Sequence, residues 1–310
     1  MSHEMHHFDL GLWVLFLAYG TSIAGSFVGL SCARRAATTP LGPTRWRWLV
    51  MAALSIGGVG IWMTHFIAMM GFAVPGTIIR YDPMLTILSA VIAISATLFG
   101  LWLVDLRALA GRPILDRSAL LIGGAVMGVA VSLMHYCGMA AIRIRGELSH
   151  DPVLVAASVA IGIGASIAAL WLVRTAFIRA TRLLGALVMG CAVAALHYTG
   201  MAGVHASLDP TATMPEGATL LDLMLPAYIF GTIILATPLV ALVLARQSAD
   251  TEVDEAIATW SAEINDAVPY PGDRGQEATA ELDTRRDVPR RPADPLRKGD
   301  VQVVPHKRVR

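Results

Sequence analysis

Three histidines carry the chemistry this sequence can do. His65, His135 and His197 each follow a glycine by seven residues and precede a methionine by four, giving the sets Gly58, His65, Met69; Gly128, His135, Met139; and Gly190, His197, Met201. An aromatic residue, Phe66, Tyr136 or Tyr198, follows each histidine. In a helix, positions i and i+4 share a face and i−7 lies two turns back on nearly the same face. Each copy therefore presents a small residue, an imidazole and a thioether along one stripe. Neutral imidazole suits copper, zinc, iron and nickel, and thioether sulfur favours Cu(I). His65, Met69, His135, Met139, His197 and Met201 form a candidate copper site. The alternatives are zinc held by the three histidines and a water, haem with two of the histidines as axial ligands, proton handling, and a hydrogen-bonded helix-packing network without any ion.

The elements that position these residues are apolar helices. The 310 residues are 55% hydrophobic and 15% charged, against about 25% charged in soluble domains, with mean hydropathy +0.60. Seven charge-free runs of spanning length are expected near 10–32, 49–73, 84–104, 118–142, 153–173, 183–204 and 223–245. All should be helices, because the bilayer offers no water to free backbone groups. The fold class is all-α: a polytopic membrane protein of seven transmembrane helices, built from three two-helix repeats plus one helix. The second member of each pair carries the histidine. Residues 1–9 read as an external segment, 10–245 as the membrane domain and 246–310 as a mostly disordered cytoplasmic tail, with a helical start around 252–265.

Arginines cluster after the odd-numbered spans, among them Arg34, Arg35, Arg45, Arg47, Arg107, Arg174 and Arg182. The positive-inside rule then predicts an outside N-terminus and a cytoplasmic C-terminus. The three histidine spans run in one direction with their histidines in the outer halves, so the imidazoles converge if those spans are neighbours. Trp13, Trp46, Trp48, Trp102 and Trp171 are expected as interfacial anchors. The glycines of the even spans are expected to bring helices together.

Other features bound the function. Cys32, Cys137 and Cys191 have no metal-ligand spacing. No basic domain provides a nucleic-acid footprint, so no nucleic acid is expected as a partner. The only lysines are Lys298 and Lys307, which removes a retinal Schiff base from consideration. Metalloprotease, serine-hydrolase and P-loop motifs are absent from the sequence. Asp9, Asp82 and Asp222 at span ends are candidate acid–base groups for a zinc-dependent hydrolase. Tyr136, Tyr198 and Phe66 are expected to wall the site, with a tyrosyl hydroxyl available to orient an imidazole. His3, His6 and His7 are candidate ligands for an exposed copper ion, and His205 and Met214 for a covering loop, 205–222.

The motifs Thr64-His65-Phe66-Ile67, Met134-His135-Tyr136-Cys137 and Leu196-His197-Tyr198-Thr199, each with its methionine beyond, resemble the bacterial MHYT membrane-sensor family over about residues 8–245. The resemblance implies a bacterial inner-membrane domain whose histidines and methionines bind copper near the outer face and which senses O2, CO or NO. It implies cytoplasmic output modules such as cyclic-di-GMP enzymes and DNA-binding regulators. Residues 246–310 carry no evident module of that kind, so signalling is expected to require a separate cytoplasmic protein or conformational coupling through the tail. Copper acquisition or transport, a zinc-dependent membrane hydrolase and a structural adaptor are the other readings.

Overall fold

The structure, a computed structural model, describes residues 9–109, 113–175 and 178–267. Among the described residues seven helices have the length and hydropathy to cross a bilayer, and the chain is a multi-pass membrane protein. Span one is α1 (Trp13–Thr38). Span two is composite: α2 (Pro43–Ala53), a π-helical segment (Leu54–Met63) and α3 (Thr64–Met69). Spans three to seven are α4 (Pro83–Leu109), α5 (Pro113–Ala140), α6 (Pro152–Thr175), α7 (Arg179–Ala202) and α8 (Leu220–Ala267).

Four helices start on a proline, where the missing N–H has no partner to lose and φ is already helical. Asp82 caps α4 by accepting from the amides of Met84 (2.9 Å) and Leu85 (3.2 Å), and Asp151 caps α6 in the same way. The second span begins at Pro43 and not near residue 49, which brings Arg45 inside the helix. Arg45 is buried and grips both carboxylate oxygens of Asp105 while donating to the Thr39 carbonyl at 3.1 Å. The expectation of charge-free spans fails here because the ion pair satisfies both partners. Pro226 and Pro238 both lie inside α8.

The six repeat helices pack in a ring. Span two touches α1 and α4, α5 touches α4 and α6, and α7 touches α6 and α1. The histidine helices thus alternate with the first members of the pairs. Span two is 78% buried, against 11–44% for the others. Its π segment lies backbone to backbone on α1: a Cβ on Gly25 would stand 2.5 Å from the Gly60 nitrogen, so glycine is required there. Ser22 donates to the Gly60 carbonyl at 2.7 Å, and Thr64 to the Val59 carbonyl at 3.3 Å, covering polar groups in the widened helix. Up to Ala245, α8 covers span two, with Gly231 facing Met63 and Ile234 and Leu235 against the cluster around Val59. Trp13, Trp46, Trp102 and Trp171 are exposed as anchors should be, but Trp48 is buried in the core.

The segments that follow the three histidine helices form short antiparallel ladders. β1 (Arg80–Tyr81) pairs with β2 (Ile142–Arg143), and β3 (Gly146–His150) pairs with β4 (Val204–Leu208). Tyr81 also bridges to Ala218. The expected loop 205–222 therefore opens as a strand, with His205 opposite Ser149 and exposed, and Met214 exposed beyond it. Strands of two to five residues have too little alternation to be read from sequence.

The chain divides into two units, Met1–Gln247 and Ser248–Arg310. The described part of the second unit, 248–267, is helical and includes the expected helical start. The expected disorder of 268–310, and His3, His6 and His7, lie outside the described residues.

Candidate metal centre

Each histidine is carried one to two turns before the C-terminal end of its helix, at Thr64–Met69, Pro113–Ala140 and Arg179–Ala202. The ring packing turns the three inward. His65, His135 and His197 are 2%, 1% and 3% exposed. Their ring centroids are 4.9, 5.0 and 5.3 Å apart, with each pair nearly perpendicular. His65 Nδ1 lies 3.0 Å from His197 Nδ1 and 3.2 Å from His135 Nδ1. Among the described residues this is the one cluster of its kind, with donor atoms all within 4.8 Å of one another.

Those separations suit a shared cation. Three nitrogens bound at about 2.0–2.1 Å in a tetrahedral shell stand about 3.3 Å apart. Protons alone serve the arrangement poorly. A hydrogen on His65 Nδ1 can serve fully only one of its two neighbours, and without that hydrogen a single lone pair faces two donors. A cation takes all three lone pairs. The buried histidine triad can hold a metal.

The Nε2 side of the rings is less usual. His65 Nε2 and His135 Nε2 are buried without a hydrogen-bond partner, where metal-bound histidines normally donate to a carbonyl or carboxylate. They lie instead against glycines of the next histidine helix. A Cβ on Gly138 would stand 2.6 Å from His65 Nε2, and one on Gly200 2.5 Å from His135 Nε2. Both glycines lie three residues after a histidine, and the equivalent of the first copy is Ala68. That recurrence was visible in the sequence but was not read as part of the site.

Met69, Met139 and Met201 are each 1% exposed and gather with Phe66 in one apolar cluster, one turn beyond the histidines. On the other side, toward the helix N-termini, the histidines close a small cavity whose wall includes Met127, Met134 and Met189. Methionine recurs eight residues before the histidine in two copies, as Met127 and Met189, a signal the four-residue spacing had overshadowed.

The aromatics form the expected wall in part. Phe66 stands edge-on to His65 with ring centroids 4.9 Å apart, and Trp62 lies tilted at 50° against Phe66 with centroids 5.1 Å apart. The Tyr136 hydroxyl binds Ser158 Oγ at 2.6 Å and so orients no imidazole. Tyr136 also meets His150 of β3, with ring centroids 5.6 Å apart, and burial holds the His150 imidazole below its usual pKa.

Two of the three candidate acids, Asp82 and Asp222, are engaged elsewhere. Asp82 caps α4 and pairs with Arg143 at 3.0 Å. That hydrogen bond, with those from the helix-start amides, holds its carboxyl below the usual range. Asp222 accepts from the Thr219 amide and hydroxyl at the start of α8.

The family model for the bacterial signalling protein N-terminal repeat, MHYT, matches residues 58–121 and 128–186. The bundle is an MHYT domain. The two matched stretches contain His65 and His135, and the structure adds His197, eleven residues past the second, to the same centre. Among curated proteins, the bifunctional diguanylate cyclase/cyclic di-GMP phosphodiesterase MucR of Pseudomonas aeruginosa is 36% identical over 192 residues, which is 59% of this chain and 26% of that one. The cyclic di-GMP phosphodiesterase NbdA of the same organism is 33% identical over 198 residues, covering 62% and 24%. The signaling protein YkoW of Bacillus subtilis is 27% identical over 223 residues, covering 69% and 26%. The chain spans about a quarter of the length of these relatives. No solved structure matches it.

Proposed function

We propose that this MHYT domain is a metal-centred membrane sensor in which His65, His135 and His197 hold copper, with Met69, Met139 and Met201 as soft donors. The observation that carries the reading is the meeting of three buried imidazoles from three helices, with His65 Nδ1 3.0 Å from His197 Nδ1 and 3.2 Å from His135 Nδ1. Copper would supply an open coordination position for O2, CO or NO and a one-electron couple. The chain's residues orient the three nitrogens, exclude water from them and link their separation to helix position.

That linkage has a direction. The ladders β1–β2 and β3–β4 tie the segments just beyond the histidines, so a change in histidine spacing is expressed toward the helix N-termini. With the arginine-rich side in the cytoplasm, those N-termini face inward, and α8 and the tail face a cytoplasmic output protein. The names of MucR and NbdA suggest cyclic di-GMP turnover as that output.

The test is metal content with optical and EPR spectra of protein purified in mild detergent, beside a variant with His65, His135 and His197 all changed to alanine. Near-stoichiometric copper, absent from the folded variant, is expected. Stoichiometric zinc would move the reading to a hydrolase, and no metal after copper reconstitution would leave a packing adaptor.

A further inference from the structure

The cavity beside the histidines has a closed side and an open one. It offers about 40 Å³ to the centres of water-sized molecules, and its wall is almost wholly apolar. Apart from the histidines and methionine sulfurs, Ser166 brings the only polar side chain to the wall. The parts contributed by span two and α5, such as Ile61, Val131 and Met134, are buried. The partly exposed wall residues are Ala165 of α6 and Ala192 and Val193 of α7. These side chains are small and lie mid-helix, where the surroundings are hydrocarbon.

We infer that this cavity is a binding chamber for a small uncharged apolar molecule of diatomic size, entered from the lipid between α6 and α7. Size excludes larger ligands: about 10–15 Å³ of such volume holds one water, so 40 Å³ suits a diatomic molecule or a few waters. Polarity disfavours the waters, since apolar cavities stay dry and take xenon or small hydrocarbons. An ion would lose its hydration without enough partners. Gases dissolve more readily in hydrocarbon than in water, so an opening on the lipid face draws from the richer phase. Met69, Met139, Phe66 and the ladders cover the histidines' other side. The chamber brings its occupant against the three histidines on the side away from Met69, Met139 and Met201. That the occupant in the cell is a signalling gas rests on the sensory reading above; the chamber itself does not.

Xenon tests the chamber without a metal. The metal-free protein of residues 1–310 in lipid nanodiscs is titrated with xenon and followed by 129Xe NMR, beside Ala169→Leu, which fills the chamber, and Ala192→Phe, whose ring can lie in lipid and cover the opening. Saturable binding to the wild type is expected, lost in Ala169→Leu and exchanging at least tenfold more slowly in Ala192→Phe. No saturable binding to a folded wild type would overturn the proposal, as would binding unchanged in Ala169→Leu. Exchange equally fast in Ala192→Phe would overturn the lipid route. Xenon binding without copper binding would sink the sensor's metal and keep the chamber, and copper without xenon would do the reverse.

Discussion

The Nε2 atom of His65 lies against Gly138 of the next histidine helix so closely that a Cβ there would stand 2.6 Å away. The relation repeats one step round the ring, from His135 to Gly200 at 2.5 Å. Two of the three imidazoles are thus set by the backbone of a neighbouring helix, and the nitrogens meet because the helices can approach this closely.

Replacing either glycine with alanine should move a ring while leaving its helix folded, since alanine is the better helix former by about 1 kcal/mol. Gly138→Ala and Gly200→Ala are each expected to weaken copper binding at least tenfold in competition with a Cu(I) chelator. Gly164→Ala, where a Cβ meets nothing within 4 Å, should bind as the wild type does. Equal affinity in all three would show that the glycines do not set the rings.

Much of this was legible before any coordinates. A repeat with His65, His135 and His197 at matched depth on parallel spans can bring three imidazoles together only if those spans face a common centre, and the ring, in which they alternate with the other three helices, turns all three inward. The π segment Leu54–Met63 was not legible. It depends on α1 supplying Ser22 and Gly25 to its widened turns, a tertiary effect that leaves the 54–63 composition looking like any glycine-rich helix. Arg45 was misread for a related reason: its sequence neighbours marked a flanking charge, and its partner Asp105 is sixty positions away.

That partner makes Arg45 a stability residue. Side-chain exposures of 9% and 13% place the Arg45–Asp105 pair largely out of water. Removing one member leaves an uncompensated charge, which typically costs about 3–5 kcal/mol, whereas replacing both with apolar groups of similar volume is often neutral. Arg45→Ala and Asp105→Ala should each lower the thermal midpoint in detergent. The double change Arg45→Met with Asp105→Leu should recover most of the loss. A double variant no better than the single ones would point to the Thr39 contact instead.

The Asp82–Arg143 pair predicts a pH effect of known sign. The folded pKa of Asp82 is depressed, first by Arg143. Its contribution to stability is therefore fully present above the unfolded value of about 3.9 and lost as pH falls through the lower folded value. Arg143→Gln should destabilise slightly at pH 7, and the gap from wild type should close on acidification below about pH 4. Melting curves over that range test this, and a gap that widens in acid would contradict it. The effect stays small because the pair is solvent-exposed.

The methionines offer a test of which metal the centre prefers. Met69, Met139 and Met201 share one buried cluster one turn beyond the histidines, and leucine is close enough in volume to replace them at modest cost to folding. If thioether sulfur reaches the ion, changing all three to leucine should weaken Cu(I) binding at least tenfold. Zn(II), which gains little from thioether, should then bind within about twofold of the wild type. The matching change of Met127, Met134 and Met189, which line the cavity on the other side, separates ligand from wall. Loss of Cu(I) affinity in that second set alone would move the soft donors to the cavity side of the histidines. Unchanged affinity in both sets would leave a centre made of imidazole only, and with it zinc as the better-suited ion.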